Sequence, residues 1–291
     1  MNRKKWLKAR RKGIGGSDVA AILGISKYKS AFGVYVDKVS PVGEEVDNVH
    51  TRFGKWLETP IKEEFPKRFF AETGIKILVK EAKGMFVHKT DPFVGTLDGL
   101  VEHEAHGEGV LEIKTASERQ WKEWEDGDVP GEYYCQVQHY MNLSNLEFSY
   151  IVALVGKELL WRYIGRDEKF IKLMVERLRA FWTNHVLAKN PPAPAGFTSD
   201  KEVLEALYGE GKEGAVVEVG ERFTPMYDRY KEIRNQIKEL EKEEAIIKQT
   251  FMAEMKEAET LILPNGKATW KTVERKGYEV KPKSFRSFRI W

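Results

Sequence analysis

Apolar and polar residues alternate over residues 110–115, where Leu111 and Ile113 are interleaved with Glu112 and Lys114. A period of two predicts a β-strand that carries the acid and the lysine on one face. Residues 93–101 form a second extended apolar run, holding one carboxylate, Asp98, between Gly95 and Gly99. The acidic, glycine-punctuated stretch 102–109 between them suits a surface connection, so the two runs are expected to pair antiparallel and bring Asp98 beside Glu112.

Longer periods predict helices around this pair. Phe53, Leu57, Ile61, Phe65 and Phe69 recur every four residues, predicting a helix over 46–70 that Pro60 and Pro66 should bend or split. Residues 132–143 read as a helix with Tyr134, Val137 and Met141 on its apolar face, and with Gln136 and Tyr140 one turn apart on another face. Short strands are expected at 75–79 and 85–88. A strand pair is expected at 148–155 and 158–164, turning at Gly156-Lys157, and an amphipathic helix at 169–187 closes the main domain. Near the N-terminus, Gly13 to Gly16 read as a flexible turn and Ser17 as the N-cap of a short apolar helix ending at Leu23.

The run Pro191-Pro192-Ala193-Pro194-Ala195-Gly196 predicts a boundary, giving a main domain at 1–190, a linker at 191–200 and a smaller domain at 201–291. In the smaller domain we expect a short helix at 201–208 and a strand at 215–219. Next comes a long helix striped by Tyr227, Tyr230, Ile233, Ile237, Leu240, Ile247, Phe251 and Met255, and then a hairpin turning at Pro264-Asn265-Gly266. That stripe fits either a coiled-coil arm or, as the interruption at Glu244 favours, a helix packed on its own hairpin. The basic, aromatic tail with Tyr278, Phe285, Phe288 and Trp291 reads as a last strand or a DNA grip.

The 291 residues can bury a sizeable core, and the formal net charge is only +3. Distribution matters more than the total, because Arg3, Lys4, Lys5, Lys8, Arg10, Arg11 and Lys12 form an acid-free leader suited to a phosphate backbone or to solubility. Cys135 is the single cysteine, so an intrachain disulfide and a cysteine zinc cluster are both excluded. With no apolar run of bilayer length and no signal-peptide core, a cytoplasmic protein is expected. His103 and His106 are expected in the solvent loop, outside any metal site.

Two carboxylates held close together are costly unless a hard cation lies between them, and oxygen ligands favour Mg²⁺ or Mn²⁺. Asp98 and Glu112 fit such a site, and Lys114 on the same face could orient water or stabilise charge on a phosphate. The plainer alternatives are a solvated strand face for Glu112 and Lys114 and a simple turn for Asp98-Gly99. Upstream, backbone N–H groups at a helix start, with Ser17 and a nearby arginine, would make a phosphate pocket. A dinucleotide or ATP loop is the rival there and fares badly, since no strand precedes the glycines and no G-K-S/T follows them.

In this order the blocks W-L-K-A-R-R-K-G-I-G-G-S-D-V-A-A-I-L-G, F-G-K-W-L-E-T-P-I, G-T-L-D-G-L-V, L-E-I-K-T and Q-V-Q-H-Y-M resemble the YqaJ-type viral recombinases, relatives of phage lambda exonuclease within the PD-(D/E)XK nucleases. The resemblance implies an α/β (α+β) restriction-endonuclease-like core, a central mixed sheet flanked by helices, with a small C-terminal helix and hairpin domain. It implies Asp98, Glu112 and Lys114 as catalytic residues. Glu58 and the backbone carbonyl of Ile113 would join the two carboxylates around one or two Mg²⁺ or Mn²⁺ ions. Arg10, Ser17, Thr96 and Gln136, with Tyr140, match a pocket for the 5′-phosphate of DNA, Thr96 standing for a serine and Gln138 being the alternative to Gln136. Leu97-Asp98 replaces the superfamily's P-D. The implied activity is a processive 5′ to 3′ exonuclease on double-stranded DNA ends that leaves 3′ tails for recombination. An endonuclease of the same fold and a non-catalytic DNA-binding scaffold are the alternatives. A homotrimer and a single-strand annealing partner are further implications.

Overall fold

A computed structural model describes residues 3–40, 49–124 and 128–274. In chain order it contains α1 (Arg3–Arg10), α2 (Gly16–Ile22), α3 (Ala31–Val39), α4 (Val49–Thr73), β1 (Ile77–Lys80), β2 (Phe86–Val87), β3 (Val94–Gly95), β4 (Gly99–His103) and β5 (Gly107–Ala116). There follow α5 (Gly131–Ser144), β6 (Phe148–Val155), β7 (Glu158–Gly165), α6 (Glu168–Phe181), α7 (Thr198–Tyr208), α8 (Thr224–Met255), β8 (Thr260–Leu263) and β9 (Gly266–Thr269).

The alternating run at 110–115 lies in β5, the middle strand of a mixed five-stranded sheet ordered β1-β4-β5-β6-β7. β4 pairs antiparallel with β5, and β5 pairs parallel with β6. The period of two sorts the core into two layers. Leu111 and Ile113 join Ile61, Phe65 and Phe69 of α4 on one face, whereas Val110 joins Val137 and Met141 of α5 on the other. A third cluster packs α2, α3 and α6 around Val19, Val34 and Met174.

Several local expectations are corrected. α4 runs unbroken through Pro60 and Pro66. Burial of Ile61, Phe65 and Phe69, roughly 1.5–3 kcal/mol each, offsets interior prolines that cost about 3 kcal/mol each. Phe53, at the start of the expected stripe, is 53% exposed and meets Trp56 edge-on instead. His103 is not in a solvent loop: it ends β4 on the same face as Val101, is 3% exposed and stacks on Tyr150. Residues 215–219 form no strand, and Val216 and Val217 are exposed.

The chain divides into two units, residues 1–208 and 209–291. The proline-rich stretch and α7 lie in the first, where buried Asp200 accepts hydrogen bonds from Ser30 Oγ (2.5 Å) and Ala195 N (2.8 Å). In the second unit α8 packs on β8 and buries Met255, while Leu240 and Ile247 of its stripe remain exposed. The hairpin β8–β9 is present, and the tail read as a strand or DNA grip lies outside the described residues. No helix among the described residues is long and apolar enough to cross a membrane.

Candidate active site

Pairing of Gly99 with Leu111 sets Asp98 at the mouth of β4, beside the middle of β5. Its Oδ2 accepts the Ile113 N–H at 2.8 Å, which ties the carboxylate to the strand that carries Glu112. The face shared by Glu112 and Lys114 is covered by α5, so it is no solvated strand face: Glu112 is only 2% exposed. Gln136 on α5 donates Nε2–H to Glu112 Oε1 (2.7 Å), and Lys114 Nζ donates to that same oxygen and to Gln136 Oε1 (3.0 Å). The Lys114 ammonium also lies 4.8 Å from the centre of the Tyr133 ring, a cation–π contact.

Electrostatics follow from this crowding. Burial and the nearby Asp98 push the Glu112 carboxyl up to about 8. Burial also raises Asp98, against the lowering effect of Lys114. Glu58, on α4, is raised by burial and by Asp98, which places it in the field of the pair. Burial disfavours the Lys114 ammonium, but Glu112 outweighs it and holds the lysine charged.

Glu112 Oε2 is buried with no hydrogen-bond partner. An orphaned carboxylate oxygen next to a second carboxylate fits a hard divalent cation, which would satisfy the oxygen and relieve the repulsion. Among the described residues no three His, Cys, Asp or Glu side chains converge as a ready-made cage.

A cavity of about 170 Å³ adjoins this centre. All five residues singled out for phosphate binding, Arg10, Ser17, Thr96, Gln136 and Tyr140, line it. Arg10 Nη2 donates to Ser17 Oγ at 2.5 Å, and Gln136 Nε2 reaches Tyr140 Oη at 3.0 Å. Gln138 turns away, bonding Gly165 O and Asp167 N, so Gln136 is the glutamine at the site.

Ser17 is not the N-cap of α2. Gly15 holds that position, and Asp18 Oδ2 accepts its N–H at 3.0 Å, as the acid of a capping box does. The Ser17 hydroxyl is thereby left to face Arg10. Nor do the glycines serve as a flexible turn: a Cβ on Gly16 would lie 2.6 Å from Tyr140 Cε1, so Gly16 is there for close approach.

Residue types alone did not single out Trp6, Lys38 or Tyr133. Trp6 Nε1 donates to Thr96 Oγ1 (3.0 Å), and its ring lies 5.3 Å from the Arg10 guanidinium carbon. The four-residue spacing of Trp6 and Arg10 on α1 was the available signal. Lys38 and Tyr133 depend on contacts distant in sequence and left none.

Comparison with known proteins supplies the family. Residues 5–147 match the YqaJ-like viral recombinase domain. Over 279 residues the chain is 33% identical to the uncharacterized protein YqaJ of Bacillus subtilis (strain 168), covering 94% of this chain and 84% of the relative. The chain belongs to the YqaJ family. This YqaJ-family chain also shares the fold of an alkaline exonuclease from Laribacter hongkongensis. The structure of that enzyme in complex with dAMP matches at a TM-score of 0.50 and 22% identity, over 64% of this chain and 94% of the other. The family match spans Arg10, Ser17, Glu58, Asp98, Glu112, Lys114 and Gln136, so centre and cavity fall within one family domain.

Proposed function

We propose that this chain is a divalent-metal-dependent deoxyribonuclease that digests double-stranded DNA processively from 5′-phosphorylated ends, 5′ to 3′, leaving 3′ single-stranded tails for recombination. The observation that carries this reading is Gln136, one side chain that lines the cavity of about 170 Å³ and also bonds Glu112 and Lys114 in the carboxylate centre. A terminal phosphate held by Arg10, Ser17 and Thr96 would thus lie next to the group of acids that cleaves the chain.

Asp98 and Glu112, with the Ile113 carbonyl and Glu58, would hold Mg²⁺ or Mn²⁺. The bound ion supplies Lewis-acid stabilisation of phosphoryl charge and lowers the pKa of water. Glu112 and Gln136 fix the Lys114 ammonium, which donates to the attacking water or to charge developing on the phosphate. Tyr133 keeps that ammonium from swinging outward. Gly16 and Gly95 let the backbone close against Tyr140, which orders the cavity wall before DNA arrives. A homotrimer and a single-strand annealing protein are the partners we propose, and the cytoplasm is the proposed location.

The decisive experiment compares linear duplex carrying 5′-phosphate, linear duplex carrying 5′-hydroxyl, and closed circular DNA, each with Mg²⁺ and with chelator. We expect rapid nucleotide release from the phosphorylated ends alone, abolished by chelator. Equal cleavage of all three would make the protein an endonuclease, and no metal-stimulated release would make it a binding scaffold.

A further inference from the structure

Asp18 and Lys38 do not line the phosphate cavity, yet they join the two helices that supply its ligands. Asp18 is 2% exposed, and the Lys38 side chain 3%. Lys38 Nζ, reaching from α3, donates to Asp18 Oδ2 at 2.6 Å and to the Arg10 carbonyl at 3.5 Å. It thus ties the last residue of α1 to the first turn of α2, one residue from Ser17. Lys29 Nζ lies 3.6 Å from the other Asp18 oxygen.

A helix start needs only the cap that Asp18 gives to Gly15, and that cap requires no lysine. Stripping a lysine of water is unfavourable, so the buried pair calls for another reason. Burial opposes ionisation of Asp18, but Lys38, Lys29 and Arg10 outweigh it and hold the carboxyl well below the usual range. With one anion among three cations, the surroundings of the Arg10–Ser17 hydrogen bond keep a net positive charge.

We propose that the Asp18–Lys38 pair is a brace that positions Arg10 and Ser17 for a terminal phosphomonoester, so that both are positioning residues for selection of the 5′ end. This rests on the reading of the cavity as a phosphate site. Lys38→Met keeps the aliphatic stem and removes the charge, whereas Asp18→Asn keeps an acceptor for Gly15 N–H.

The test measures binding of the full-length protein, in chelator, to duplexes that differ only in 5′-phosphate or 5′-hydroxyl. The wild type should prefer the phosphorylated end by roughly tenfold or more, and each variant should bring the ratio to within about twofold of unity. Lys38→Arg, which restores the cation, should keep most of the preference. A purely structural pair would lower both affinities by one factor and leave the ratio intact, which overturns the brace and leaves the pocket standing. A wild-type ratio of one overturns the pocket and the brace with it. Should Lys38→Met lose its folded circular dichroism spectrum, the near-isosteric Asp18→Asn decides.

Discussion

Gln136 donates its amide N–H to Glu112 Oε1 across 2.7 Å, from a helix that covers the strand carrying the acid. The same nitrogen reaches Tyr140 Oη at 3.0 Å, and the amide oxygen receives Lys114. One side chain therefore sets the orientation of the acid and the lysine and forms part of the cavity wall.

Removing that amide should damage both halves together. Groups that orient metal-site ligands typically contribute 10–100-fold, so Gln136→Leu should lower kcat by roughly that factor. It should also weaken the preference for a 5′-phosphate. Lys114→Ala, by contrast, should abolish cleavage and leave DNA binding in place. Steady-state digestion on both kinds of end, with binding measured in chelator, separates the two variants. Normal digestion by Lys114→Ala would sink the mechanism.

The raised Glu112 carboxyl predicts proton-coupled cation binding. Its pKa in the folded chain is about 8, against an ordinary 4.5. Without a cation, the resulting stabilisation is therefore full below 4.5 and is lost as pH rises through 8. A divalent ion needs the carboxylate, so apparent Mn²⁺ affinity should climb with pH up to about 8 and then level. Calorimetry at pH 7 in buffers of different ionisation enthalpy should report proton release, and Glu112→Gln should show none.

Much of this site was legible because it rests on local periodicity. The alternation about Glu112 gave the strand, its facing layers and the neighbour Asp98, and the four-residue step from Gln136 to Tyr140 gave a shared partner. What escaped depended on tertiary partners. Ser17 had the composition of an N-cap, but Gly15 holds that position, with Asp18 reaching back to accept its N–H. His103 looked like a loop residue because the end of β4 is set by its pairing with Gly107, which composition does not reveal. Prolines 60 and 66 suggested a break that packing on the sheet overrides.

Close approach at Gly16 predicts a measurable cost. A methyl there would lie 2.6 Å from Tyr140 Cε1, and one on Gly95 would lie 2.9 Å from the same atom. Overpacking of this kind typically costs about 1–3 kcal/mol, so Gly16→Ala should lower the melting temperature and impair phosphate-end selection. Combining Gly16→Ala with Tyr140→Leu should recover part of the stability, because the clash is with the ring. A double-mutant cycle with zero coupling energy would show that the two residues do not press on one another.

His139 predicts an acid limb to stability. It is fully buried, and its Nε2–H donates to the Val94 carbonyl at 3.1 Å, next to the cavity, which leaves Nδ1 as an acceptor with no partner. Protonating Nδ1 would place a full charge in the buried core, at the cost of stripping it of water. Burial accordingly holds the imidazole down at about 4, against an ordinary 6.5, with the Val94 carbonyl offsetting only part of the effect. A depressed pKa means that the folded chain binds fewer protons than the unfolded one. The stabilisation is therefore present above 6.5 and is lost as pH falls towards 4. That displacement corresponds to something on the order of 3 kcal/mol. Urea unfolding of the wild type should weaken by about that amount between those pH values, whereas His139→Gln, which keeps an amide donor for Val94, should start lower and titrate far less. Identical acid limbs in the two proteins would rule out His139 as the source.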